Sequence, residues 1–172
     1  MRLRSLQIIL WIAATAAVVA FSAMRWWPAT DDSAAAASAF NPAFALADSE
    51  GSIRTTAEFR GKFLLVFFGF TSCPDVCPTT LFDVSQVYKA LGRDGDKVGA
   101  FFVSVDPERD TPEVLRGYVT AFDPSFIALR GDASSTAAMA KEFKVFFQKV
   151  PTSGSYTMDH TAGSFVFDPQ GR

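Results

Sequence analysis

The pattern of apolar and polar positions changes period several times along the chain, and each change marks an element. Ser5 to Met24 (SLQIILWIAATAAVVAFSAM) is 20 residues without a charge. As a helix rising about 1.5 Å per residue it spans roughly 30 Å, the thickness of a bilayer's hydrocarbon core, and it has no polar face. An uncleaved membrane anchor over residues 1–27 is expected, because the apolar region of a signal peptide is only about 7 to 15 residues long. Arg2 and Arg4 precede the stretch and Asp31 and Asp32 follow Arg25, which places the N-terminus inside and the rest of the chain outside. Trp26 and Trp27 fit the outer interface. Residues 28–41 (PATDDSAAAASAFN) are small and polar, a tether on the order of 20 to 25 Å long if flexible.

Beyond the tether the periods belong to a folded domain over residues 42–172. Phe44 to Thr56 alternates on either side of a Ser-Glu-Gly turn and predicts a small hairpin, and Thr55 with Glu58 has the spacing of a capping box. Lys62 to Phe70 (KFLLVFFGF) is apolar throughout, as a strand covered on both faces is, and Val98 to Val105 (VGAFFVSV) is a second such strand. Leu81, Val84, Val87, Tyr88 and Leu91 recur at helical spacing, with Gly92 placed to end that helix. Thr111 can cap, and Pro112 open, a helix carrying Val114, Leu115, Tyr118, Val119 and Phe122 on its inner side. Phe126 to Leu129 predicts a short strand and Ala133 to Phe143 a helix. Val145 to Val150 and Ser164 to Phe167 predict the last two strands, joined by a long loop from Pro151 to Gly163. Strands alternating with helices predict an α/β fold whose central, mostly parallel sheet is flanked by helices.

Composition narrows the function. The chain has 172 residues, 49% of them hydrophobic and 18 of them Phe, enough for one domain with a substantial core. Its formal net charge is −2 and it has no long basic run, so the counterion release that drives nucleic-acid binding has no source, and nucleic acid is excluded as a partner.

Candidate chemistry gathers at GFTSCPDVCPTT (Gly69 to Thr80), which holds both cysteines, four positions apart and each followed by a proline. In an open α/β sheet ligands collect beyond the carboxyl ends of parallel strands, and Cys73 comes directly after one. A helix start there favours thiolate, which is both metal ligand and redox nucleophile. A disulfide would contribute little as a staple, because the entropic gain grows with loop length and this loop is short. His160, in YTMDHTAGSF, is the only histidine. If Ser164 to Phe167 runs antiparallel to Lys62 to Phe70, its start lies at the sheet edge where the cysteines emerge, and His160 can meet them. Two thiolates and an imidazole form a soft set suited to Cu(I) and able to hold Cu(II) with a further ligand, whereas structural zinc requires a fourth protein ligand. Covalent haem attachment fails because Pro78, not histidine, follows Cys77. Asp159 is placed to orient the imidazole or to stand in solvent.

These residues resemble the Sco/SenC family of membrane-anchored copper proteins. The resemblance covers about residues 40 to 172 and rests on FFGFTSCPDVCP (Phe67 to Pro78), FVSVDPERDTPEVLRGYV (Phe102 to Val119) and DHTAGSFVFDPQGR (Asp159 to Arg172). It implies a thioredoxin-like fold, with Cys73, Cys77 and His160 as copper ligands and Cys73/Cys77 also as a redox-active pair. Asp75 belongs to the same motif, placed to support the copper ligands from behind or to shape the loop. The family often has serine where Thr161 follows the histidine, and the hydroxyl is kept. The resemblance also implies a further strand and helix after Arg172. Asp106 and Asp110 match the family pattern, and turn formation and capping are favoured for them over client docking.

The resemblance implies copper delivery to the binuclear copper site of cytochrome c oxidase subunit II, from an inner (cytoplasmic) membrane anchor with the domain on the periplasmic side. A metallochaperone is the first expectation. A thiol-disulfide oxidoreductase that reduces the cysteines of that subunit is the alternative, although thioredoxin-type sites use C-x-x-C and this spacing is one residue longer. Either role requires a separate thiol reductant of thioredoxin type. A peroxidase reading is weaker, because its motif expects threonine where Phe70 stands.

Overall fold

The computed structural model describes residues 2–26 and 42–172, with side chains of the first helix described at Gln7 and residues 11–23. The chain divides into two units, Met1–Ala39 and Phe40–Arg172. In the first, the stretch expected to anchor the chain is one continuous helix, α1 (Arg2–Trp26, 25 residues). Among the described residues, no helix is long and apolar enough to cross a membrane. The expected tether, residues 28–41, and Trp27 lie outside the described residues.

The second unit is built on a six-stranded sheet. Strands β1 (Ala45–Asp48) and β2 (Ile53–Thr55) form the expected hairpin, closed by a turn with Gly51 at φ 85°. The capping box of Thr55 and Glu58 opens one turn of 3-10 helix, Thr56–Phe59. Next come β3 (Phe63–Gly69), α2 (Val76–Leu91), β4 (Val98–Ser104), α3 (Pro112–Thr120), β5 (Ile127–Arg130) and α4 (Ala133–Glu142). Thr111 caps α3 by accepting from the Val114 N–H, and Asp132 caps α4 by accepting from Ser135.

Alternation along the buried strands sorts the core into two layers. Leu64, Val66, Phe68, Phe101, Val103 and Leu129 pack with Met139, Ala140 and Phe143, so α4 covers one face. Phe67, Ala100, Phe102 and Ala128 pack under Leu81 and Val84 of α2 and Leu115 and Val119 of α3 on the other. Val87 and Leu91, expected on the inner side of α2, are exposed, as is Val114 of α3.

Two expectations are corrected. The sheet is mixed, in the order β2-β1-β5-β4-β3-β8, where β8 is Ser164–Phe167. Only β3/β4 and β4/β5 are parallel. These are the neighbours joined through helical crossovers; the β1–β2 hairpin and the returning β8 lie antiparallel outside them. The segment expected as a loop from Pro151 to Gly163 is largely a second hairpin, β6 (Phe147–Thr152) with β7 (Ser155–His160), which forms its own two-stranded sheet. Proline is tolerated in β6 because each strand of a two-stranded ribbon has a free edge.

Candidate metal centre

β3 sets one half of the site. It ends at Gly69, whose carbonyl accepts from the Val105 N–H, and the chain then turns through Phe70 to Cys73, with the Cys73 N–H donating to the Phe70 carbonyl at 3.1 Å. Asp75 occupies the N-cap position of α2 without a side-chain capping bond, and Cys77 lies inside the first turn of that helix. Cys77 is 0% exposed and packs with the α2/α3 layer, while Cys73 is half-buried and touches both layers of the core.

β7 sets the other half. β8 pairs antiparallel to β3 as expected, with Ser164 opposite Phe67, so the residues just before Ser164 lie at the end of β3 that carries the cysteines. His160 closes β7 there, and its Nε2 is 3.8 Å from the Cys77 Sγ. Its Nδ1 is 3.0 Å from the Thr161 carbonyl oxygen. A carbonyl only accepts, so that nitrogen carries the hydrogen and the Nε2 lone pair is left toward the sulfurs. The Thr161 hydroxyl accepts from the Phe146 N–H, and the Thr161 N–H donates back to the Phe146 carbonyl, which closes the base of the hairpin.

The sulfurs of Cys73 and Cys77 and a ring nitrogen of His160 all lie within 4.8 Å of one another. Three donors bound to one ion at about 2.0–2.3 Å stand roughly 3.5–4 Å apart, so the trio needs only small adjustments to share a cation. Asp75 and Asp159 are exposed and stand outside this cluster; the imidazole takes its orientation from the Thr161 carbonyl.

The expected lowering of thiol pKa at the helix start does not hold for Cys77. Burial pushes its thiol well up, and a hydrogen bond with the Phe70 backbone offsets only part of the effect. The thiol is inside the core, not at an open helix end, and desolvation of the thiolate wins. A bound cation inverts that balance, since a coordinating thiol is deprotonated outright.

Several residues besides the three candidate ligands matter to the site. Asp110 is fully buried beneath the cysteine turn: its carboxylate accepts from the Thr71 hydroxyl at 2.6 Å and from the Thr71 N–H, and from the Ser104 hydroxyl at 2.6 Å. Burial raises its carboxyl despite these bonds. Asp106, also buried, binds Arg109 and Tyr156. Both acids therefore do more than shape a turn, and neither offers a surface for a client. Phe70 stands edge-on to the His160 ring at 5.8 Å. Phe70, Asp106, Arg109 and Asp110 stand inside the motifs quoted above, but nothing in the sequence signalled which contacts they make.

The sequence profile of the SCO1/SenC family matches residues 32–172. An SCO2-like protein of Rickettsia prowazekii is 38% identical over 132 residues, covering 75% of this chain and 64% of that protein. The chain thus spans less than two thirds of that relative's length. The structure of Bradyrhizobium japonicum ScoI with copper bound is similar at a TM-score of 0.73 and 48% identity, over 77% of this chain and 85% of that one. The thioredoxin domain of a Bacteroides vulgatus thiol-disulfide oxidoreductase, with a TM-score of 0.56 and 18% identity over 77% and 81%, shares the thioredoxin-like fold.

Proposed function

The chain belongs to the SCO1/SenC family, and on that premise we propose that it is a copper metallochaperone that holds one ion between Cys73, Cys77 and His160 and passes it on by ligand exchange. The observation that carries this reading is the convergence of two sulfurs and a bare imidazole nitrogen within 4.8 Å, from residues 83 positions apart in the chain. The donor set is soft and three-fold, which fits Cu(I) and leaves room for an incoming ligand. Loading releases the thiol protons, so affinity rises with pH. The client is the binuclear copper site of cytochrome c oxidase subunit II, and a thioredoxin-type reductant keeps the pair reduced. Ser5 to Met24 serves as a single-pass inner-membrane anchor with the domain on the periplasmic side. The uncharged length of that stretch and the exposed Trp11, Ile12, Val18, Val19 and Phe21 of α1 support the anchor.

The test is copper titration of the reduced full chain in detergent micelles under anaerobic conditions. Near-stoichiometric copper is expected. Replacing either cysteine with serine should abolish binding, and His160→Ala should weaken it about tenfold or more while leaving disulfide formation intact. Unaltered copper affinity in His160→Ala would count against the reading.

One observation favours the oxidoreductase alternative: both thiols are free, with Cys73 half-exposed and Cys77 buried, the arrangement of an attacking and a resolving thiol. Turnover of a mixed-disulfide substrate at the same rate with and without His160 would support that alternative.

A further inference from the structure

The hairpin that carries His160 makes no ladder hydrogen bonds to the central sheet, since β6 and β7 pair only with each other. The β8/β3 register brings the chain before Ser164 to the cysteine end of β3, but no ladder bond reaches β7 itself, so side-chain contacts must fix the imidazole against the cysteines. Tyr156, Met158 and His160 share one face of β7, because side chains alternate along a strand, and Met158 is buried in the core.

The strongest of these contacts form a closed ring. The Arg109 Nε donates to Asp106 Oδ2 at 2.5 Å, its Nη1 donates to the Tyr156 carbonyl at 2.8 Å, and the Tyr156 hydroxyl donates to Asp106 Oδ1 at 2.9 Å. The guanidinium also lies over the Tyr156 ring, 3.8 Å from its centroid. Asp106 is 1% exposed, and its N–H donates to Ser104 at the end of β4, so the ring is fixed to the central sheet. Charge-assisted bonds to a buried carboxylate are the stronger kind, and a stacked guanidinium adds a cation–π contribution. A second line reaches the same imidazole: the guanidinium is 5.8 Å from the Phe70 ring, which stands edge-on to His160.

We infer that Arg109, clamped between Asp106 and Tyr156, is a positioning residue that fixes His160 where its ring nitrogen can share one ion with the cysteine pair. The inference rests on the copper reading above and deepens it, since it assigns what sets the contribution of the histidine. The clamp joins the loop after β4 to the fifth residue from the end of β7, 47 positions away in sequence, and leaves the cysteine turn to Asp110. One short loop thus steadies both halves of the site.

A double-mutant cycle tests this on the full chain in micelles. Arg109→Lys keeps the charge but loses the planar fork, and Arg109→Gln loses both. Each is made alone and in the His160→Ala background, and Cu(I) affinity is measured by competition with a chelator of known strength. Each Arg109 change alone should lower affinity about tenfold, as loss of an outer-shell partner does. The Cu(II) absorption and EPR signals should move toward those of His160→Ala, and the Cys73/Cys77 reduction potential should stay where it is. In the His160→Ala background the same changes should cost nothing further. Equal losses in both backgrounds would show a merely structural role and overturn the inference, as would wild-type affinity in both Arg109 variants. If the Arg109 variants do not fold, Tyr156→Phe, which removes only the bond to Asp106, decides by the same cycle: a loss that vanishes without His160 supports the clamp, and an additive loss or none overturns it. Unchanged affinity in His160→Ala alone is the separate failure of the copper reading, and it removes this inference with it.

Discussion

A methyl group has no room on Gly69. A Cβ there would lie 2.7 Å from the Cys77 sulfur and 2.8 Å from a ring carbon of Phe102, both buried. The strand must be bare at this position so that α2 can lay its first turn, and its thiol, against the sheet. Gly69→Ala should destabilise the reduced protein by about 1–3 kcal/mol, the usual range for overpacking, and should lower copper affinity by displacing Cys77. Denaturant unfolding and copper competition would measure the two effects, and a wild-type midpoint would show that strand and helix part freely. The requirement at Gly69 was not legible in the sequence, where this residue is one more position in an apolar run. The cysteines and the histidine were legible because their residue types carry chemistry in themselves. Arg109 and Tyr156 were not, since polar side chains that meet across 47 positions leave no period to read.

At the scale of elements, the buried strands β3 and β4 announced themselves as unbroken apolar runs, and the caps of α3 and of the 3-10 turn were written in Thr111 and in Thr55 with Glu58. The β6–β7 hairpin was missed because its strands are largely exposed and hold Pro151, and Ser153-Gly154-Ser155 has the composition of a loop. The β1–β2 hairpin carries a pH-dependent brace. Burial alone would raise the Asp48 carboxyl, but the Glu50 and Ser52 N–H groups at 2.9 Å and the Arg54 guanidinium at 2.8 Å outweigh it and hold the pKa below the ordinary carboxylate value. A lowered native pKa means that the unfolded chain binds the proton first as pH falls. The stabilisation is therefore complete above the ordinary carboxylate pKa and disappears as pH drops through the native one. Unfolding midpoints of wild type and Asp48→Asn, compared from pH 7 to pH 3, should differ most at neutral pH and converge in acid; a constant gap would rule out the brace.

For the whole molecule, the alternation of strands and helices was enough to give an α/β sheet with helices on both faces. It did not give the mixed strand order, which depends on how the β1–β2 hairpin and β8 add to the two sides of the parallel strands. The proposed anchor belongs to this scale too. The full chain should sediment with membranes and resist a high-salt wash, whereas a chain beginning at Pro42 should stay in the aqueous phase; release of the full chain by salt would reduce α1 to a peripheral contact. The site itself joins the turn and helix that follow β3, which give the thiols, to the end of β7, which gives the imidazole, and the sheets of β3 and β7 share no ladder hydrogen bonds. Any cation held by all three acts as a rivet between separate pieces of the body and closes a long loop of chain. Metal binding and mechanical integrity are then the same bond, so the loaded protein resists heat and proteases and the empty one yields first.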